Sequence, residues 1–218
     1  MKIIIHGGFF SESSTNIETK IAKQQALLRI VKDSYAYLQN HSALETVVYA
    51  VSQLEDDELF NAGIGSQIQS DGKIRMSASL MDGESQKMSG VINIEEVKNP
   101  IQVAQVLMQV DDRILGGSGA TNFARKHGFE SFSTEIPQRR AEYEAKLASL
   151  GTGTVGCVAL DKNGKIAVAT STGGKGFEIP GRISDSATVA GNYANEFCGV
   201  SLTGVGEDIV SNATAAKI

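Results

Sequence analysis

Gly153-Thr154-Val155-Gly156-Cys157-Val158-Ala159-Leu160-Asp161-Lys162-Asn163-Gly164-Lys165-Ile166-Ala167-Val168-Ala169-Thr170-Ser171-Thr172-Gly173-Gly174 is the stretch on which the reading of this chain turns. Thr154–Leu160 and Ile166–Ser171 are rich in strand-forming residues and flank a turn at Asn163-Gly164, which predicts a β-hairpin. The preceding segment, from Gly128 to Gly151, is polar and charged, with Arg139, Arg140, Glu142, Glu144 and Lys146 and few large apolar residues. That is linker composition, with room for a partly formed helix. Thr154 therefore stands at the start of a strand, after a glycine and a linker, where a cut would free a new α-amine. A hydroxyl is a weak nucleophile until a base takes its proton, and the α-amine of the same residue can be that base. Such an amine titrates at about 7.7 to 8.0, so a useful fraction is unprotonated near neutrality. Gly153 permits the strained backbone from which the threonine oxygen reaches the preceding carbonyl. Taken alone, a strand threonine after a glycine is more often structural.

Outward from the hairpin, Lys2–His6 reads as a buried strand ended by Gly7 and Gly8. From Ile17, the residues Ile17, Ile21, Leu28, Val31, Tyr35 and Leu38 recur at helical steps and predict one core-facing stripe of a long helix. Ser42 and Glu45 form a capping box for a second helix to about Leu54. Asn61, Gly63 and Gly65 make a loop. Lys73–Leu80 and Met88–Ile94 read as paired strands, and Asn99-Pro100 opens a helix to about Val110. A short helix to Lys126 follows Gly116–Gly119, and strands are expected near Thr188–Ala194 and Gly199–Leu202. This order lacks the regular alternation of a doubly wound fold and suits a layered α+β sandwich.

The 218 residues, 41% of them hydrophobic, suffice for one sizeable core. A net charge of −5 and a pI near 5.3 argue against a nucleic-acid partner and toward small molecules or peptides. Cys157 and Cys198 have neither metal nor redox spacing and read as reduced thiols. No apolar stretch approaches membrane-spanning length, so a cytoplasmic location without membrane partners is expected. His6, His41 and His127 are scattered and show no ligand spacing.

Five collinear stretches resemble the isoaspartyl peptidase and plant-type asparaginase family of N-terminal-nucleophile hydrolases. They are Leu59–Ser66 with Ser77–Gly83, Asn99–Met108, Leu115–Gly128, Gly153–Gly174 and Pro180–Ser186. The resemblance implies an αββα sandwich in which residues 1–153, with a linker at about 128–153, form one portion and 154–218 begin the second. The cut would fall between Gly153 and Thr154. It further implies Thr154 as nucleophile and Thr172 as its hydrogen-bonding partner. Arg182 would grip the α-carboxylate of the substrate and Asp185 its α-ammonium. Thr203 and Gly204 would form the oxyanion hole, with Gly206 in the same loop and Asn61 near the nucleophile. The implied reaction is hydrolysis of β-aspartyl dipeptides and L-asparagine, by a dimer of cut chains and without a cofactor for the chemistry. A structural sodium ion would be held by backbone carbonyls of Leu54, Glu55, Asp57, Phe60, Ala62 and Ile64. On charge alone, Glu55 to Glu58 instead read as a solvated helix end, and Arg182 with Asp185 as an exposed ion pair.

Two departures from the family pattern carry expectations. Phe9 and Phe10 follow Gly7-Gly8 where the family has Ala-Gly, which predicts a differently shaped pocket mouth. The chain ends at Ile218, short of the family's closing helices and strands, which predicts either a C-terminal truncation or a short variant that needs a partner to complete its sandwich and cover a sheet edge. A glycosylasparaginase, a taspase-like protease and a non-catalytic aspartate-binding homologue remain open alternatives.

Overall fold

The computed structural model describes residues 1–8, 17–145 and 153–218. Phe9, Phe10 and Lys146 lie outside the described residues. The described chain forms a six-stranded sheet in the order β1-β5-β6-β2-β3-β4, a separate β7-β8 pair, and seven helices. The strands are β1 (Lys2–His6), β2 (Met76–Asp82), β3 (Met88–Ile94), β4 (Ile114–Gly116), β5 (Val155–Leu160), β6 (Ile166–Thr172), β7 (Asn192–Ala194) and β8 (Gly199–Ser201). The helices are α1 (Ile17–Leu38), α2 (Ala43–Glu55), α3 (Pro100–Leu107), α4 (Gly117–Lys126), α5 (Pro137–Glu144), α6 (Gly206–Asn212) and α7 (Thr214–Lys217).

The β5-β6 hairpin sits inside the main sheet, between β1 and β2. Its turn is built on Asp161, whose Oδ1 accepts from the N–H of Asn163 (2.8 Å) and of Lys165 (3.0 Å). Gly164 takes φ +76°, a left-handed value that glycine adopts without cost. Alternation along the hairpin then sorts side chains to two faces. Val155, Cys157, Ala159, Ala167 and Ala169 join the apolar core under α2 and α3. Thr154, Thr170 and Thr172 belong to the other face, where β7 and β8 pack on β6. The main sheet is therefore covered by helices on one side and by a second sheet layer on the other, with α6 and α7 beyond it. That is the αββα order expected from sequence.

Ser42 caps α2 as predicted: its Oγ accepts from Glu45 N–H, and its own backbone N–H donates to Glu45 Oε2. Other expectations are corrected in detail. The inner stripe of α1 is Ala26, Ile30, Ser34 and Leu38, and Ile17, Ile21, Leu28 and Tyr35 face solvent. The helix exists, but two apolar stripes compete on it, and the one with smaller residues packs closest to the sheet and α2. β2 starts at Met76, because Gln69–Lys73 closes a turn with Gln69 N–H donating to Lys73 O at 2.8 Å. The strand expected over Thr188–Ala194 contracts to Asn192–Ala194. Thr188 and Gly191 are held in turns whose N–H groups donate to Asp185 O and Thr188 O. Asn99 is in the cap position of α3, but its side chain donates to Asp56 Oδ1 (3.0 Å) and Ser52 O (3.4 Å). The free N–H of Ile101 is taken instead by Glu55 Oε1 at 3.1 Å.

Candidate active site

Thr154 precedes β5, where its Oγ1 points away from the helical core. It lies 3.3 Å from Thr172 Oγ1, to which it donates, and 3.4 Å from Ser186 Oγ. Thr172 ends β6, and its own Oγ1 accepts from Gly174 N–H at 3.2 Å. Three hydroxyls thus converge on one buried point, with Thr154, Thr172 and Ser186 exposed by no more than 7%. The segment enters this position between glycines. A Cβ at Gly8 would collide with Gly153, so the Gly7-Gly8 turn closes over the 153–154 peptide at the distance of backbone contact.

A cleft of about 250 Å³ opens above the threonines, walled by Lys175, Arg182, Ser184, Asp185, Gly204 and Glu207 among others. Arg182 and Asp185 share this wall but do not bond to each other. Arg182 Nε donates to Glu207 Oε1 at 2.7 Å, and this guanidinium holds the Glu207 carboxyl down at about 2. Asp185 Oδ1 accepts from Ser184 Oγ at 2.6 Å, while Asp185 Oδ2 is buried with no hydrogen-bond partner among the described residues. Burial pushes the Asp185 pKa up, with the Ser184 hydrogen bond and Arg182 working against it. A buried acceptor left open costs stability unless something arrives to fill it. Gly206 makes the arrangement possible: a Cβ there would collide with Ser184 Oγ and fall 2.8 Å from Asp185 Oδ1.

Gly204, at φ +155°, lines the cleft, and Thr203 adjoins it in the β8–α6 loop without forming part of the wall. Asn61 lies behind the site. Its Nδ2 donates to Gly174 O (2.5 Å), its Oδ1 accepts from Gln67 N–H (2.9 Å), and its carbonyl accepts from Gly173 N–H (2.9 Å). It braces the Gly173-Gly174 turn and does not wall the cleft. Ser184, Ser186, Lys175 and Glu207 escaped sequence reasoning. Ser184 and Ser186 sit inside a quoted stretch, Lys175 follows one and Glu207 follows Gly206, but polar residues in and beside loops carry no signal of which way they face.

Glu55 is not part of a solvated helix end. It is fully buried, and Oε1 accepts from Ser171 Oγ (2.6 Å) as well as Ile101 N–H. Burial pushes its carboxyl up to about 8, while those hydrogen bonds pull it down. A Cβ added at Gly65 would collide with the carbonyls of Glu58 and Phe60, and one at Gly63 with that of Glu55, so both glycines let this turn pack closely. Glu55 O also accepts from Ile64 N–H at 2.7 Å. Among the described residues, no cluster of His, Cys, Asp and Glu could hold a metal ion.

The family model described as Asparaginase matches residues 1–148 and 132–218. The chain belongs to the asparaginase family. Within it, the chain is 47% identical to a protein of Synechocystis sp. named isoaspartyl peptidase/L-asparaginase, over all of this chain and 71% of that protein. It is 36% identical to the isoaspartyl peptidase of Escherichia coli, over 99% of this chain and 75% of that one. It is also 36% identical to a plant-type L-asparaginase of Pyrobaculum calidifontis, over 99% and 77%. Membership in this hydrolase family accords with a buried threonine hydroxyl beneath a cleft that carries one arginine and one open carboxylate.

Proposed function

We propose that the chain is cut between Gly153 and Thr154 and then hydrolyses β-aspartyl dipeptides and L-asparagine to release L-aspartate. The observation that carries this reading is the convergence of Thr154 Oγ1 with Thr172 Oγ1 beneath the Arg182 and Asp185 wall. An aspartyl substrate offers an α-carboxylate and an α-ammonium. The planar fork of Arg182 suits the first, and the open Oδ2 of Asp185 suits the second. With both held, the β-carbonyl would stand over Thr154. The freed α-amine takes the hydroxyl proton as Oγ1 attacks the β-carbonyl, then passes it to the substrate nitrogen as the C–N bond breaks; the departing amino acid or ammonia leaves an acyl-enzyme, which water hydrolyses to aspartate and the restored hydroxyl. The Thr203 hydroxyl and Gly204 N–H are the donors we assign to the oxyanion, where charge develops only as the carbonyl is attacked.

The remaining assignments rest on the family resemblance. We assign a sodium ion to the backbone carbonyls of Leu54, Glu55, Asp57, Phe60, Ala62 and Ile64. It would hold the turn that carries Asn61 and would supply no chemistry. A dimer of cut chains and a reducing, cytoplasmic compartment complete the reading. The two free thiols support that compartment, and among the described residues no helix is long and apolar enough to cross a membrane.

The test is a side-by-side assay of β-Asp-Leu, L-asparagine and a glycosylated asparagine on fully cut protein. Turnover of the first two, with aspartate as product, is expected. Turnover of the glycosylated substrate alone would transfer the chain to the glycosylasparaginase reading. Aspartate binding without turnover of any would mark it as a non-catalytic binder.

A further inference from the structure

The charges around the cleft do not match an aspartyl group alone. Lys175 and Arg182 bring two cations, and Asp185 and Glu207 two anions. Arg182 and Asp185 answer the two charges of the aspartyl half, and Glu207 is occupied by Arg182 Nε at 2.7 Å. Lys175 is left loosely matched, with Nζ 3.9 Å from the same Glu207 oxygen and its side chain 45% exposed.

Lys175 is not an ordinary mobile surface lysine, because its backbone is tied on both sides. Gly174 N–H donates to Thr172 Oγ1, Gly174 O accepts from Asn61 Nδ2, and Phe177 N–H donates to Ile68 O at 2.9 Å. Gly174 (φ +81°) and Gly176 (φ +82°) give the two left-handed bends that present the residue at the rim. The position is three residues past Thr172, which ends β6, at the start of the same β6–β7 connection that carries Arg182 and Asp185.

We propose that Lys175 is a specificity residue that recognises the free carboxylate of the leaving amino acid in β-aspartyl dipeptides. The inference rests on the amidohydrolase reading above and deepens it. L-asparagine releases ammonia and offers nothing to a second cation. A dipeptide releases an amino acid whose carboxylate needs one.

The test compares β-Asp-Leu with its C-terminal amide, on fully cut wild type, Lys175→Met and Lys175→Arg. Wild type is expected to favour the free carboxylate in kcat/KM by roughly five- to tenfold, mainly through KM, and less at high salt. Lys175→Met should bring that preference close to one, and Lys175→Arg should keep it. A preference that survives Lys175→Met, or one absent from wild type, overturns the assignment while leaving the amidohydrolase reading intact. Failure of cut wild type to hydrolyse either dipeptide or L-asparagine sinks both together.

Discussion

Thr154 is held where its hydroxyl already has a partner in Thr172 and a second neighbour in Ser186, so the site is assembled while the 153–154 bond is intact. In the proposed mechanism only the proton acceptor is missing until the α-amine is freed. The clamp beside it depends on one absent side chain. Gly206→Ala would drive a methyl group into Ser184 Oγ and toward Asp185 and Arg182. We expect kcat/KM for β-Asp-Leu to fall on the order of a hundredfold, with cutting and thermal stability retained, as misplacement by about an ångström is that costly. Steady-state kinetics on the cut variant would check this. Sequence made the motif residues legible because they are consecutive in short stretches, but not the partners that orient them. Glu207, in the first turn of α6, reaches Arg182 only through the folding of α6 onto the Pro180–Ser186 loop, and no local pattern encodes that contact; Ser184 adjoins Asp185 in sequence, but nothing local tells which way its hydroxyl faces.

At the level of elements, two helix starts are stabilised by different means. The α2 start carries its own capping box, which was legible because cap and acceptor are three residues apart. The α3 start borrows Glu55, 46 residues earlier, and its own Asn99 is turned to other work. Ser42→Ala should cost about 1 kcal/mol of stability. Glu55→Ala should cost about 3 kcal/mol, because it leaves Ser171 Oγ and Ile101 N–H buried without partners and opens a cavity. Urea midpoints of the two variants compare them directly. Of the expected α1 stripe only Leu38 is fully buried, for a related reason. Periodicity reports that a helix has an apolar face, and on α1 Ile17, Ile21, Leu28 and Tyr35 lie on a different face from Ala26, Ile30 and Leu38. Which face is buried is decided by what α2 and β1 present to it.

For the whole molecule, the layers are joined near the site by polar contacts as well as apolar ones. His6 on β1 has Nε2 2.9 Å from Ser201 Oγ on β8, and Ser201 Oγ lies 2.7 Å from Thr170 Oγ1 on β6. Burial lowers the His6 pKa to about 4, and the Thr154 carbonyl nearby works the other way. The unfolded chain takes up this proton near 6.5 and the folded one only near 4. Its contribution is therefore intact above pH 6.5 and is lost as pH falls toward 4, by on the order of 3 kcal/mol if nothing relaxes. His6→Gln should flatten that part of the stability curve, measured as urea midpoints from pH 7 to 4.5; an unchanged slope would locate the acid sensitivity elsewhere. The αββα layering itself was readable from element order and collinear motifs.

A threonine that becomes its own base is the centre of the proposed mechanism, and mass spectrometry of the aged, purified protein tests it most directly. Wild type is predicted to give two fragments, one ending at Gly153 and one beginning at Thr154, while Thr154→Ala stays whole and hydrolyses nothing. Equal cutting in both proteins, or full activity in wild type that remains uncut, would contradict it.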